Sequence, residues 1–243
     1  MLIEKYPNPL INMIQPIDTH IETIRQKLTE SKSIKAAILY GSWAKLCARE
    51  DSDVDLLMVV DNVNKKANRI RDELVKEEAF SVLVASEKDF VKEKLPVYTA
   101  AKREGKLIFG DIDMSLSFES PSSKYAGFFK DSRDFESRKV KLAQELLKDG
   151  FTNGVIDYCF VASKHALQAS LAMKNEGYSS KIDVLLPLTE KYYGKDIASK
   201  FKYLYKLFQK SENWMDDEHE ITRKEAEQAV EYAQEIMRVY SHV

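Results

Sequence analysis

Between residues 34 and 60 two apolar, β-rich runs, IKAAILY and DVDLLMVV, flank the short stretch GSWAKLCAREDS. Each run has the length and composition of a strand, and WAKLCA between them is able to begin a helix. The second run carries two carboxylates, Asp53 and Asp55, one residue apart among aliphatic neighbours. Residues i and i+2 of a strand share a face, so the two acids are expected side by side, about 6.6 Å apart at ~3.3 Å per residue. Like charges so placed repel, and burying either without a partner costs several kcal/mol. A divalent cation removes the conflict. Mg²⁺ is held by one or two carboxylates together with waters and phosphate oxygens, and metal ions can clamp the attacking and leaving oxygens of an in-line displacement. The pattern suits phosphoryl or nucleotidyl transfer better than glycoside hydrolysis, whose two carboxyl groups flank a sugar.

Gly41-Ser42 supplies a complementary feature directly after the first run. A glycine lets the backbone approach a ligand closely, and a serine hydroxyl and N–H at a helix start favour an anion. Lys45 adds a positive charge nearby. Gly41, Ser42 and Lys45 are therefore the candidate nucleotide-binding residues, and Asp53 and Asp55 the candidate catalytic and metal-binding residues. Gly-Ser alone is an ordinary strand-to-helix turn, and D-x-D alone is an ordinary solvent-facing rim. Their joint occurrence at the ends of adjacent strands, in a βαβ-like context, gives the reading its force.

The rest of the first half continues the alternation. Residues 16–31 place Ile17, Ile21, Ile24 and Leu28 at helical spacing, 63–78 are charged and helical, 79–85 read as a third strand, 87–104 as a helix interrupted at Pro96, and 106–109 as a fourth strand. Residues 110–124 then carry five serines, a proline and a glycine, the texture of a connection. Beyond it only helices are expected, over 131–149, 152–176, 182–193, 196–211 and 222–241, with Gly177 as a C-terminal cap and Asp196 and Thr222 as N-caps. The expected plan is an α/β or α+β domain with a small mixed sheet over 1–112, a linker over 113–130, and an all-α helical bundle over 131–243. The aromatic residues Phe201, Tyr205 and Phe208 are expected in the bundle core, and Trp43 is either core or a nucleotide contact.

A net charge of -2 argues against a nucleic-acid partner, and basic clusters such as Lys65-Lys66 read as solvated helix faces. Cys47 and Cys159 are far apart, and the four histidines form no metal-ligand spacing. No run approaches the ~18 apolar residues of a membrane span, and the first residues, MLIEKYPNPL, do not read as a signal peptide. The expectation is a cytoplasmic protein with no membrane partner.

The combination Gly41-Ser42, ten residues, then Asp53-Val54-Asp55-Leu56 resembles the signature of the DNA polymerase β-like nucleotidyltransferase superfamily, and SDVDLLMVV and REGKLIFG are most similar to its minimal nucleotidyltransferases. The resemblance covers about residues 16–110. More weakly, FVASKHALQASLAMKNEGYSSK and AEQAVEYAQEIMRVY resemble a HEPN helical domain. Kanamycin-type nucleotidyltransferases also end in a helical domain. The resemblance implies NMP transfer from a nucleoside triphosphate, ATP, with Mg²⁺ or Mn²⁺, to a hydroxyl of a small molecule or a protein, and a homodimer through the helical domain. The alternative is a nucleotide-binding regulatory or interaction module with weakened catalysis.

Two departures from the family pattern bear on this. The position aligned with a third carboxylate is Ser81, which leaves Glu78, or Glu136 or Asp157 of the helical half, as substitutes. The Arg-Gly that usually follows the Gly-Ser turn is replaced by Lys45-Leu46, and lysine lacks the planar fork of arginine. The R-x₄₋₆-H pair of HEPN ribonucleases, an arginine and a histidine with four to six residues between them, is absent from the bundle. The purified protein is therefore expected to leave RNA intact in the absence of metal; cleavage of a labelled RNA under those conditions overturns this.

Overall fold

The computed structural model describes residues 21–22, 24–29, 33–46, 48, 52–76, 80–212 and 220–241. Glu78, Cys47, Trp214, His20, His219 and His242 lie outside the described residues, as does the start of the first expected helix. The chain divides into two compact units, Met1–Phe118 and Glu119–Val243.

The first unit is built on four strands: β1 (Ile34–Leu39), β2 (Val54–Val60), β3 (Phe80–Ser86) and β4 (Lys106–Gly110), in the order β3-β2-β1-β4. β2 and β3 are parallel, whereas β1 runs antiparallel to both β2 and β4. The context expected as βαβ-like is thus corrected. The stretch between β1 and β2 holds only a four-residue helix, α2 (Gly41–Ala44), too short for the crossover that parallel neighbours need. The chain reverses, and β2 starts beside the end of β1.

Both faces of the sheet are covered, which is why β2 reads as a continuous apolar run. Val54, Leu56, Met58 and Val60 pack with Ile24 and Leu28 of α1 (described over 21–22 and 24–29) and with Ala67, Ile70 and Leu74 of α3 (Lys65–Val75). Leu57 and Val59 face the other way, onto Phe90 of α4 (Glu87–Val91) and Tyr98 and Ala101 of α5 (Pro96–Glu104). By the same alternation Asp55 belongs to the α4–α5 face. The break expected at Pro96 separates α4 from α5, where Pro96 takes the first turn.

The segment 111–118 is fastened to this unit by a buried ion pair. Glu93 and Lys102 have side chains 0% and 1% exposed, 3.4 Å apart. Glu93 also accepts from Thr99 Oγ1 (2.8 Å) and from the Ser117 N–H (2.5 Å), while Lys102 Nζ donates to the carbonyls of Ser115 (2.8 Å) and Val91 (3.0 Å). Glu93 holds these bonds from a left-handed backbone, φ 49°, at a conformational cost of roughly 1–2 kcal/mol for a non-glycine residue.

The second unit contains the helices α6 (Pro121–Lys124), α7 (Ala126–Asp149), α8 (Thr152–Met173), α9 (Ile182–Glu212) and α10 (Arg223–Ser241). α8 is its centre, burying Val155, Ile156, Cys159, Phe160, Ala166 and Leu167 among the other helices. Phe160 stacks on Phe201 and Phe208, as expected of core aromatics. α7 ends on Gly150 in the left-handed region, φ 84°, and Gly194, φ 86°, breaks α9 where two helices were expected. The cap expected at Gly177 is instead Asn175, φ 62°, with the Glu176 N–H closing onto the Leu171 carbonyl (3.1 Å). Thr222 caps α10 reciprocally with Glu225: Glu225 N–H donates to Thr222 Oγ1 (3.2 Å), and Thr222 N–H to Glu225 Oε2 (2.8 Å).

Replacing Lys102 alone strands Glu93 as a buried charge. Lys102→Met is expected to cost about 3–5 kcal/mol in denaturant unfolding, and the double variant Glu93→Gln/Lys102→Met distinctly less. A single variant no less stable than the double would refute the pairing argument.

Candidate nucleotide site

The antiparallel register of β1 and β2 decides the geometry of the candidate site. Leu39 pairs with Leu56, and the next step places the Tyr40 N–H 3.0 Å from the Asp55 carbonyl. Gly41, one residue on, therefore turns directly over the Asp55 side chain. Its φ of 70° lies in the left-handed region, and a Cβ built there would overlap Asp55 Oδ2 and lie 2.9 Å from Asp55 Cγ. Glycine is required here twice, for the backbone angle and for the space. The turn and the acid, read separately from the sequence, meet.

Asp53 precedes β2 by one residue and is exposed, whereas Asp55 lies within the strand and is partly buried. Burial, and secondarily the Asp53 carboxylate, push the Asp55 pKa up to about 6. Among the described residues no lysine or arginine forms an ion pair with either acid. Tyr40 stands beside Asp55 with its hydroxyl pKa raised by burial, then by Asp55 and Tyr98. On the other side the parallel register pairs Asp55 with Ser81, which is exposed. The row across the sheet is thus Tyr40, Asp55, Ser81. Among the described residues no group of three or more His, Cys, Asp or Glu side chains is placed to hold a metal ion. Two carboxylates are nonetheless enough for Mg²⁺ when phosphate oxygens and waters complete its shell. The unneutralised, half-buried Asp55 beside a second acid fits that requirement.

The helix expected to follow Gly-Ser stops after four residues. So short a helix adds little dipole, and an anion here would be held by the turn's N–H groups. Lys45, the candidate phosphate contact, is ion-paired with Glu104 at the end of α5. Leu46 is 74% exposed in a left-handed conformation, φ 57°; the glycine of the usual pattern would adopt it freely, and leucine does so at about 1–2 kcal/mol.

Sequence reasoning left Trp43 undecided. The structure packs it against the α1–α3 core, and its indole Nε1 donates to the Ser52 carbonyl (2.9 Å). Trp43 thereby ties the turn after β1 to the residue before Asp53. No spacing rule signals this bond. Glu136 and Asp157, considered as substitute acids, are engaged within the helical unit. Glu136 is buried with His165 Nδ1 at 3.1 Å and Lys139 Nζ at 3.0 Å, and Asp157 accepts from Ser211 Oγ (3.4 Å).

Residues 22–114 match the family described as "Polymerase beta, Nucleotidyltransferase", and residues 137–243 match "HEPN domain". No curated protein matches the chain. Among solved structures, spectinomycin adenyltransferase AAD(9) from Enterococcus faecialis, with ATP and spectinomycin, is 13% identical, with a TM-score of 0.53 over 93% of this chain and 99% of that one. At that identity the likeness is one of fold. A nucleotidyltransferase-like protein from Exiguobacterium sibiricum 255-15 is 12% identical over 92% of this chain and 75% of that one, with a TM-score of 0.42. A toxin–antitoxin structure with AMP-PNP is 12% identical, with a TM-score of 0.30 over 52% of this chain and 97% of that one.

Because the folded Asp55 holds its proton to higher pH than the unfolded chain, the native state binds more protons between about pH 4 and 6. Its contribution to stability therefore falls as pH rises through that window and stays low above it. Asp55→Asn is expected to raise the metal-free melting temperature at pH 7, by about 1–2 kcal/mol of stability after allowance for solvent screening, and to have little effect at pH 4. Calorimetric melts across pH 4–8 check this; a lower melting temperature for the variant at pH 7 contradicts it.

Proposed function

Because this chain is a polymerase β-type nucleotidyltransferase domain followed by a HEPN domain, we propose that it transfers NMP from a nucleoside triphosphate to a hydroxyl group, with ATP as donor and a divalent metal, Mg²⁺ or Mn²⁺, at Asp53 and Asp55. The observation that carries the proposal is the close approach of the Gly41 backbone to the Asp55 carboxylate. It brings the candidate anion-binding turn against Asp55, one of the two candidate metal-binding acids. An adenyltransferase solved with ATP, alike in fold, supports ATP as the donor.

In this reading Gly41 and Ser42 hold the phosphates through the turn's N–H groups and the serine hydroxyl. Trp43, bonded to the Ser52 carbonyl, keeps that turn in register with Asp53. Asp53 and Asp55 hold the metal, which neutralises charge on the triphosphate when bound. The acceptor oxygen bonds to the α-phosphorus as the bond to the pyrophosphate oxygen breaks. Positioning and charge stabilisation supply most of the acceleration. Ser81 has no basic oxygen to take the acceptor's proton, so the proton leaves to solvent and turnover is slow. The acceptor is a small-molecule or protein hydroxyl. The protein dimerises through its helical domain in the cytoplasm. Among the described residues no helix is long and apolar enough to cross a membrane.

Ser81 beside Asp55 also favours a second reading, a nucleotide-binding regulatory module that binds without transferring. Titration calorimetry with ATP and Mg²⁺, alongside transfer of label from α-³²P-ATP, separates the two. Transfer supports the enzyme; binding without transfer to any acceptor supports the module. Asp53→Asn/Asp55→Asn is expected to abolish metal-dependent binding and transfer while the circular dichroism spectrum stays unchanged. Undiminished binding in that variant removes both acids from the proposed role.

A further inference from the structure

Lys45 is the first cation after the Gly41 turn, and its N–H donates to the Gly41 carbonyl (3.3 Å). Its ammonium is already engaged, since Nζ is ion-paired with Oε2 of Glu104, which lies far along the chain. The fold makes this meeting specific. Glu104 is the last residue of α5. A Cβ at the following Gly105 would overlap the Ala101 carbonyl oxygen and lie 2.6 Å from Ile38 Cγ2, so the end of α5 is pressed against β1. Lys106 then opens β4 opposite Leu39, two residues before Gly41. A carboxylate is thereby set at the rim from which the phosphate turn projects. Both partners are partly exposed, 48% and 36%, and neither is needed to fill the core.

A pair this exposed contributes little to stability, at most about 1 kcal/mol, and breaks at little cost. Lysine suits such an exchange, being a point charge on a flexible stem, free to move between anions. We propose that Glu104 is a positioning residue for Lys45: it holds the ammonium at the rim of the turn and gives it up to the triphosphate, so that nucleotide binding breaks the Lys45–Glu104 pair. The inference rests on the nucleotide reading above. Glu104 competes with the ligand for Lys45 and thereby sets how tightly the phosphates are held.

The test is a double-mutant cycle on the full chain, reading the affinity for a non-hydrolysable ATP analogue with Mg²⁺ by calorimetry. Glu104→Gln is expected to tighten binding about two- to fivefold with an unchanged melting temperature. Lys45→Met is expected to weaken binding more in the Glu104→Gln background than in the wild type, because only there does it remove an uncontested phosphate contact. Additive effects would mean that Glu104 acts on the phosphates through its charge alone, and they overturn the proposal. Weaker binding by Glu104→Gln, with a lowered melting temperature, marks a structural role and also overturns it. If the wild type binds no nucleotide, the functional reading itself fails and this inference with it; binding without coupling removes only the inference.

Discussion

The first unit turns on a single backbone register, the pairing that sets Leu39 against Leu56 and the Tyr40 N–H against the Asp55 carbonyl. Strands that reverse through a short stretch bring the end of one beside the start of the next. The meeting of the turn with the acid is a consequence, and the parallel register of β2 and β3 adds the flank. Gly41 lands on the Asp55 carboxylate, Trp43 reaches the Ser52 carbonyl, and β3, running parallel to β2, puts Ser81 at the flank. A shift by one residue would turn Asp55 towards the α1–α3 core and dissolve the arrangement.

How the chain treats its buried acids sets this site apart. Glu93 is buried with Lys102, and Glu136 with Lys139 and His165. Each keeps its charge out of water beside a cation of its own unit. Asp55 is partly buried with a second carboxylate as its neighbour, and its pKa rises in consequence. Unlike those two, Asp55 has no lysine or arginine partner among the described residues.

Much of this was legible in the residues. The β-rich runs at 34–40 and 53–60, the break at Pro96, the aromatic core of the bundle and the Thr222 cap all follow from local chemistry. Elsewhere local rules named the wrong residue. Gly177 is the better left-handed residue by propensity, but α8 ends sooner, and Asn175, whose side chain tolerates that region, takes the cap. WAKLCA has the composition of a helix, yet the chain must reverse into β2 within a few residues, and α2 stops at Ala44. Lys45 reads as a free cation only as long as Glu104 is out of sight.

The sequence by itself determined the inventory: an acid pair in an apolar run, a glycine-serine turn before it, an α/β half and a helical half. Those follow from side-chain type and spacing, which act over a few residues. Tertiary structure alone decided that β1 and β2 run antiparallel, that Trp43 bonds Ser52, and that Glu104 meets Lys45. Each is a contact between segments whose separation in the chain carries no periodic signal. Only the closed sheet, with α5 pressed against Ile38 at Gly105, sets the distance between them.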